Sequence, residues 1–179
     1  MTGWVALLRG INVGRAKRIS MADLRTILVS LDLDAVRTVQ VSGNVVFRAR
    51  WGDEQMLGKK IAARIKAETG FDTVALVRSG DDLARVIDAN PFPRRGVDPK
   101  QLHVVFLSAQ PRKELIAGVD RADVAPDEFE VGERVIYVRL PAGVMASNMP
   151  DWEKALGLSA TMRTWGTVLR LSAAVGDAG

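Results

Sequence analysis

The chain has no cysteine, one histidine and one tyrosine among its 179 residues. Without cysteine there is no disulfide, no thiolate nucleophile and no cysteine zinc site, and a single histidine excludes a multi-histidine metal site. Long apolar runs are missing as well. The longest, at 4–8 and 104–107, fall far short of the ~18 residues that a membrane-spanning helix needs. Arg9 and the glycine-containing stretch behind it break the first run before it could serve as the core of a secretory signal, and no small-residue cleavage site follows. The expected compartment is therefore the cytoplasm, with no membrane, metal or cofactor as partner. What remains is 47% hydrophobic and 26% charged, a composition that buries a core. The length allows one ordinary domain or two small ones of roughly 90 residues.

The pattern along the chain alternates short β-prone runs with amphipathic helices. The run at 4–8, W-V-A-L-L, ends at Arg9-Gly10 and reads as a strand buried on both faces. Ser20, followed three residues later by Asp23, resembles a capping box, and Leu24, Ile27, Leu28 and Leu31 mark the inner face of the helix it opens. Residues 36–41 and 45–48 are β-prone and are joined by Ser42-Gly43-Asn44, which predicts a hairpin. Leu57, Ile61 and Ile65 define a second helix that Gly70 would cap, and 73–77 gives a fourth strand. The order is βαββαβ, the ferredoxin-like arrangement, over residues 1–78. A short helix and the stretch N-P-F-P-R-R-G-V-D-P-K at 90–100 read as a connection spanning 79–100. From 101 to 179 the pattern restarts: a strand at 102–108, a short helix at 111–118, a hairpin across Gly132-Glu133, a helix between Pro150 and Gly157, and a C-terminal helix at 165–175. The expected fold class is α+β, with two ferredoxin-like subdomains packed together.

Charge is unevenly spread. The first 90 residues carry 14 basic and 10 acidic side chains, and the remainder carry 11 of each, so the whole excess of +4 lies in the first half. The segment R-G-I-N-V-G-R-A-K-R at 9–18 holds Arg9, Arg15, Lys17 and Arg18 and no acid, between a strand and a capped helix. Gly10 and Gly14 would let the backbone approach a ligand, and a helix N-terminus beside basic side chains suits an anion. A right-handed crossover makes the first two strands parallel, so the 9–19 loop and the Ser42-Gly43-Asn44 turn should share one edge of the sheet. The candidate ligand-binding set is Arg9, Asn12, Arg15, Lys17, Ser42 and Asn44. The loop matches neither G-x-x-x-x-G-K-[ST] nor G-x-G-x-x-G. His103, beside Val104, Val105 and Phe106, reads as a packed strand residue rather than a base. Asp81, Asp82, Asp151 and Glu153 sit at helix starts and read as dipole partners. No G-x-S-x-G elbow frames a catalytic serine, so no catalytic residue is assigned.

These residues also carry a resemblance. A-L-L-R-G-I-N-V-G at 6–14, M-A-D-L-R at 21–25, S-G-N-V-V-F at 42–47, N-P-F at 90–92 and T-M-R-T-W-G-T at 161–167 resemble the signature stretches of the bacterial family called domain of unknown function 1697. The resemblance spans nearly the whole chain. It implies two ferredoxin-like subdomains and no particular activity. Three positions depart from the family pattern: Arg15 stands where a second glycine is usual, Val39-Gln40-Val41 replaces Tyr-Ile-Gln, and Thr164 replaces an asparagine after Arg163. Contacts that the family makes through those positions would differ here.

Three functional readings follow. The first is a binding module for a phosphate-bearing or other anionic ligand, nucleotide or nucleic acid, at the basic edge. An RNA-recognition domain shares βαββαβ, but the third strand, N-V-V-F-R, offers one aromatic and no K/R-G-F/Y-type motif. The second is a small hydrolase of a phosphate or acyl-phosphate, with an arginine clamping the anion and Asn44 placing a water; such chemistry runs on positioning and electrostatics without a Cys or His nucleophile. The third is an interaction or structural module whose partner meets Pro93-Arg94-Arg95. Binding is favoured over catalysis.

Overall fold

The structure, a computed structural model, describes residues 1–12, 18–40 and 43–176. The chain divides into two compact units, Met1–Ala84 with Arg170–Gly179, and Arg85–Leu169. The fold class is α+β, with one four-stranded antiparallel sheet in each unit.

The first unit runs β1 (Thr2–Arg9), α1 (Met21–Val29), β2 (Asp34–Thr38), β3 (Asn44–Ala49), α2 (Glu54–Thr69) and β4 (Val74–Ser79), with strand order β2-β3-β1-β4. Side chains alternate across β1, so Trp4, Ala6 and Leu8 face one way and join a core with Leu24, Ile27 and Leu28 of α1 and Leu57, Ile61 and Ile65 of α2. Val5 and Leu7 face the other way and are also fully buried, which is why this strand is an unbroken apolar run rather than an alternating one. The helices start at side-chain caps, and α1 ends at Val29, short of the Leu31 that the periodicity included. Ser20 Oγ accepts from Asp23 N at 3.0 Å and donates to the Asp23 carboxylate at 2.7 Å. Asp53 caps α2 through Met56 N at 2.8 Å, and Gly70 ends it in the left-handed region with φ 77°. Gly58 lets α2 lie directly on β4: a Cβ there would stand 2.5 Å from the Ala75 carbonyl oxygen.

In the second unit the order is β5 (Leu102–Leu107), α4 (Lys113–Ala117), β6 (Glu128–Val131), β7 (Val135–Arg139), α5 (Trp152–Leu156) and β8 (Ala160–Thr164). The sheet order, β6-β7-β5-β8, repeats that of the first unit position for position. Val105, Leu107, Phe129, Ile136, Val138 and Trp152 make its core, with the Phe129 and Trp152 rings edge to face at 5.3 Å. The Pro-rich stretch 90–100 belongs to this unit; it carries two single 3₁₀ turns, and Asn90 Oδ1 accepts from the N–H of the fully buried Phe92 at 3.1 Å.

Two helices run across the division between units: α3 (Gly80–Asp88) and α6 (Trp165–Gly176). The last residues of α6 belong to the first unit. There Val175 fills the space over Gly3 and Gly80, where an added Cβ at either glycine would come within 2.7 Å of it, and Arg37 donates to the Ala174 carbonyl at 2.8 Å. A cation on the last carbonyls suits the negative end of a helix dipole.

Two expectations are corrected. The second strand lies earlier than the β-prone run 36–41, because Gln40 adopts φ 60° and the ladder stops at Thr38. A fourth strand, β8, completes the second sheet over residues to which the sequence reading assigned no element.

Candidate functional site

Both β1 and β2 are antiparallel to β3, so they point the same way, and their C-terminal ends share an edge with the N-terminal ends of β3 and β4. Arg9 ends β1, Asn12 follows three residues later and Asn44 begins β3, so all three lie toward that edge. Leu8 N donates to the Gly43 carbonyl at 2.8 Å, tying the end of β1 to the hairpin turn. Gly43 is held at φ 68°, and a Cβ on it would lie 2.9 Å from the Ile11 side chain and 3.0 Å from Leu8 Cβ, so the turn and the loop are in direct contact. Thr73, which the sequence reading passed over, brings the start of β4 to the same place by donating from its hydroxyl to the Arg9 carbonyl at 2.7 Å. Its signal was available: a hydroxyl between the Gly70 cap and an apolar strand.

The two asparagines act on backbone. Asn12, at φ 56°, donates from Nδ2 to the Ile19 carbonyl at 3.0 Å and accepts at Oδ1 from Ile19 N at 2.9 Å. That pair of bonds closes the base of the loop between residues 12 and 19, one residue before the Ser20 cap of α1. Asn44 is fully buried and donates to the Val39 carbonyl at 3.2 Å, while Val39 N donates to the Asn44 carbonyl at 2.9 Å. The expected contacts Arg15, Lys17 and Ser42 lie outside the described residues. Arg9 and Arg18 are exposed at either end of the loop. The N-terminus of α1 carries the Asp23 carboxylate, which accepts from Ser20 Oγ at 2.7 Å and complements the positive end of the helix dipole.

The remaining motif residues serve the second unit's frame. Thr164 Oγ1 accepts from Thr167 N at 3.3 Å and so caps α6. Arg163 donates to Thr161 Oγ1 at 2.7 Å and to the Met162 carbonyl at 2.8 Å, and burial pulls its guanidinium down to about 10. Burial likewise holds the His103 imidazole below its ordinary range, with a backbone hydrogen bond to Gln101 opposing the shift. Among the described residues, no three His, Asp or Glu side chains converge on a site that could hold a metal ion, and no helix is long and apolar enough to cross a membrane.

No curated protein matches the chain. Among solved structures, the conserved bacterial protein SP0830 from Streptococcus pneumoniae is similar over 97% of this chain and 98% of its own, with a TM-score of 0.72 at 19% identity, a likeness of fold alone. The model of a family described as protein of unknown function, DUF1697, matches residues 1–137, and the chain belongs to that family.

Proposed function

We propose that each unit is a ferredoxin-like βαββαβ fold and that the protein is a binding module for a phosphate-bearing ligand, a nucleotide or nucleic acid, taken at the loop edge of the first unit. The observation that carries this reading is the Asn12 bracket. Two hydrogen bonds to Ile19 hold together the ends of a loop whose sequence, V-G-R-A-K-R, contains three basic residues, a glycine and no acid. Closing the base of such a loop reduces the entropy lost when its side chains order on a ligand. The sheet itself is a poor platform for stacked bases, because Val5, Leu7 and Val46 on the face away from the core of α1 and α2 are fully buried. Phosphate contacts from loops remain, and these give salt-dependent affinity. Asn44, buried and committed to Val39, is a poor candidate to position a water, which favours binding over hydrolysis.

The test is the double variant Arg15→Ala with Lys17→Ala, titrated against fluorescein-labelled single- and double-stranded oligonucleotides and a labelled nucleotide at several salt concentrations. Loss of two phosphate contacts should lower the slope of log affinity against log salt by about 2 and weaken binding uniformly across sequences. A wild type that binds none of these probes, or a double variant that binds them equally well, sinks the reading.

A further inference from the structure

A second feature, independent of the basic edge, lies within the other unit. Between the sheet and α5 is a cavity of about 340 Å³, floored by Val105, Val138 and Leu140 and walled by Trp152. Ala160 and Met162 of β8, with Met149, extend the apolar lining. An apolar cavity of about 150 Å³ is enough to take benzene, and this volume falls at the lower end of the range for small-molecule sites.

One wall is a strap, residues 143–150, which contributes Val144, Ser147, Met149 and Pro150. Polar bonds hold it in place. Ser147 Oγ and Asn148 N both donate to Asp127 Oδ2, at 2.7 and 2.8 Å, and Asp127 is buried. Asn148 Nδ2 donates to the Ala125 carbonyl at 2.7 Å. Collapse of the strap into the cavity would break bonds to a buried carboxylate, which is costly. Its own apolar residues accordingly stay outside: Val144, at the rim, is 47% exposed, and Met145 beside it is wholly exposed. The walls are therefore set before any ligand arrives, which spares the ordering cost of binding.

The polar lining decides the class of ligand. Ser147, Asp151, Glu153 and Thr161 each hold a bond within the unit. Ser147 Oγ also accepts from Met149 N at 3.1 Å, and Asp151 Oδ1 accepts from Glu153 N at 3.1 Å and Lys154 N at 3.3 Å. Glu153 Oε1 accepts from Ala160 N at 2.8 Å, and Thr161 Oγ1 from Arg163 Nη1 at 2.7 Å. These bonds tie strap, helix and β8 into the walls. A charged ligand would have to take partners from them or bury its charge against Val105, Val138 and Trp152. A hydrocarbon asks nothing of them and gains by leaving water. Met149 and Met162, unbranched and polarisable, suit such an occupant.

We infer that this cavity is a binding site for an uncharged, largely hydrocarbon molecule of about ten carbon atoms, held between Val105, Val138 and Trp152 with Val144 at its rim.

The experiment titrates the full chain with three probes on one bicyclic frame: 2-indanol, 2-aminoindane and indane-2-carboxylate. Affinity is measured by calorimetry, and location by amide chemical shifts. The alcohol should bind with shifts centred on Val105, Trp152 and Ala160, about tenfold more tightly than either charged probe. Ala160→Leu places a larger side chain in the space and should abolish binding while the melting temperature holds or rises, as filling a cavity does. Val144→Ser, at a half-exposed position, should weaken the alcohol severalfold with little change in melting, which keeps the test open where Ala160→Leu folds poorly. Either charged probe binding as tightly as the alcohol overturns the inference. So do shifts that map elsewhere, the absence of shifts at millimolar alcohol, and undiminished binding in the variants. Concentration-dependent shifts of these residues without any probe overturn it too, because a second copy of the chain would then be the occupant.

Discussion

The two units share a frame and differ in what they hang on it. Leu8 N bonds the Gly43 carbonyl at 2.8 Å, and Leu107 N bonds the Arg134 carbonyl at 2.9 Å; both acceptor residues are in the left-handed region, with φ 68° and 53°. β4 runs into a helix capped by Ser79 through Asp82 N, and β8 into one capped by Thr164 through Thr167 N, each cap preceded by a buried or half-buried arginine, Arg78 and Arg163. The connections after the first strand of each unit part company. In the second unit residues 108–112 turn back at once, and Gln110 Oε1 accepts from Arg134 N at 2.8 Å, closing the short loop onto the hairpin. In the first, the longer connection through 10–20 is basic and is closed on itself by Asn12. A sheet whose strand ends are secured by backbone bonds tolerates a changed loop, and recognition chemistry then collects there.

The largest expected effect tests whether α2 owes its close seat on β4 to one missing side chain. Its counterpart α5 is five residues long and holds no glycine. Replacing a mid-helix glycine by alanine gains about 1 kcal/mol in propensity. At Gly58, however, the new Cβ meets a backbone carbonyl at 2.5 Å, which no side-chain rotation relieves. Overpacking of this kind costs about 3 kcal/mol, so Gly58→Ala should destabilise the protein by about 2 kcal/mol net. The urea midpoint measures this, and a stabilised variant would show that helix and sheet separate without cost.

A smaller effect separates the loop's frame from its charges. Asn12→Gly keeps the left-handed backbone and removes both bonds to Ile19, at about 1 kcal/mol of stability. The basic residues are untouched. If the bracket organises them, affinity for a phosphate-bearing probe should fall severalfold while the salt slope stays constant, because the number of phosphate contacts is the same. A changed slope with unchanged low-salt affinity would leave the bracket with a structural role only.

Much of this frame was legible in the residues. Ser20 with Asp23, Gly70, and Asp151 with Gly157 announce helix ends through chemistry that acts within a turn, so local sequence suffices, whereas the Asp53 cap of α2 went unread. β8 was not legible, for two reasons: A-T-M-R-T is only five residues long and holds no Val, Ile or aromatic residue, and Thr164 passes directly into Trp165 of α6 with no turn residue between them. Its strand state comes from pairing with β5, a tertiary cause. Sequence and topology placed Arg9, Asn12 and Asn44 toward one edge of the sheet, but they could not say that both asparagines bond to backbone. The Asn12 partner, Ile19, lies seven residues on, beyond the reach of a turn motif.

The smallest effect rests on one exchanged position. Trp4 pairs with Ser79 in the first sheet and His103 with Thr164 in the second, so the two rings occupy corresponding places, and each has a buried nitrogen without a hydrogen bond, Trp4 Nε1 and His103 Nδ1. Indole does not titrate; imidazole does. Burial lowers the His103 pKa in the folded chain below the ordinary value of 6.5 that the unfolded chain shows. The unfolded state therefore takes up the proton first as pH falls. Stability is complete above about pH 6.5 and declines below it, until the folded-state value is passed. His103 is the chain's one histidine, so the difference between wild type and His103→Leu isolates this contribution. Their melting temperatures, compared between pH 7.5 and pH 5.5, should show the wild type losing more than the variant. Parallel losses would mean that His103 is solvated enough to ionise in place, and that the buried ring nitrogen shared with Trp4 has no energetic consequence in the second unit.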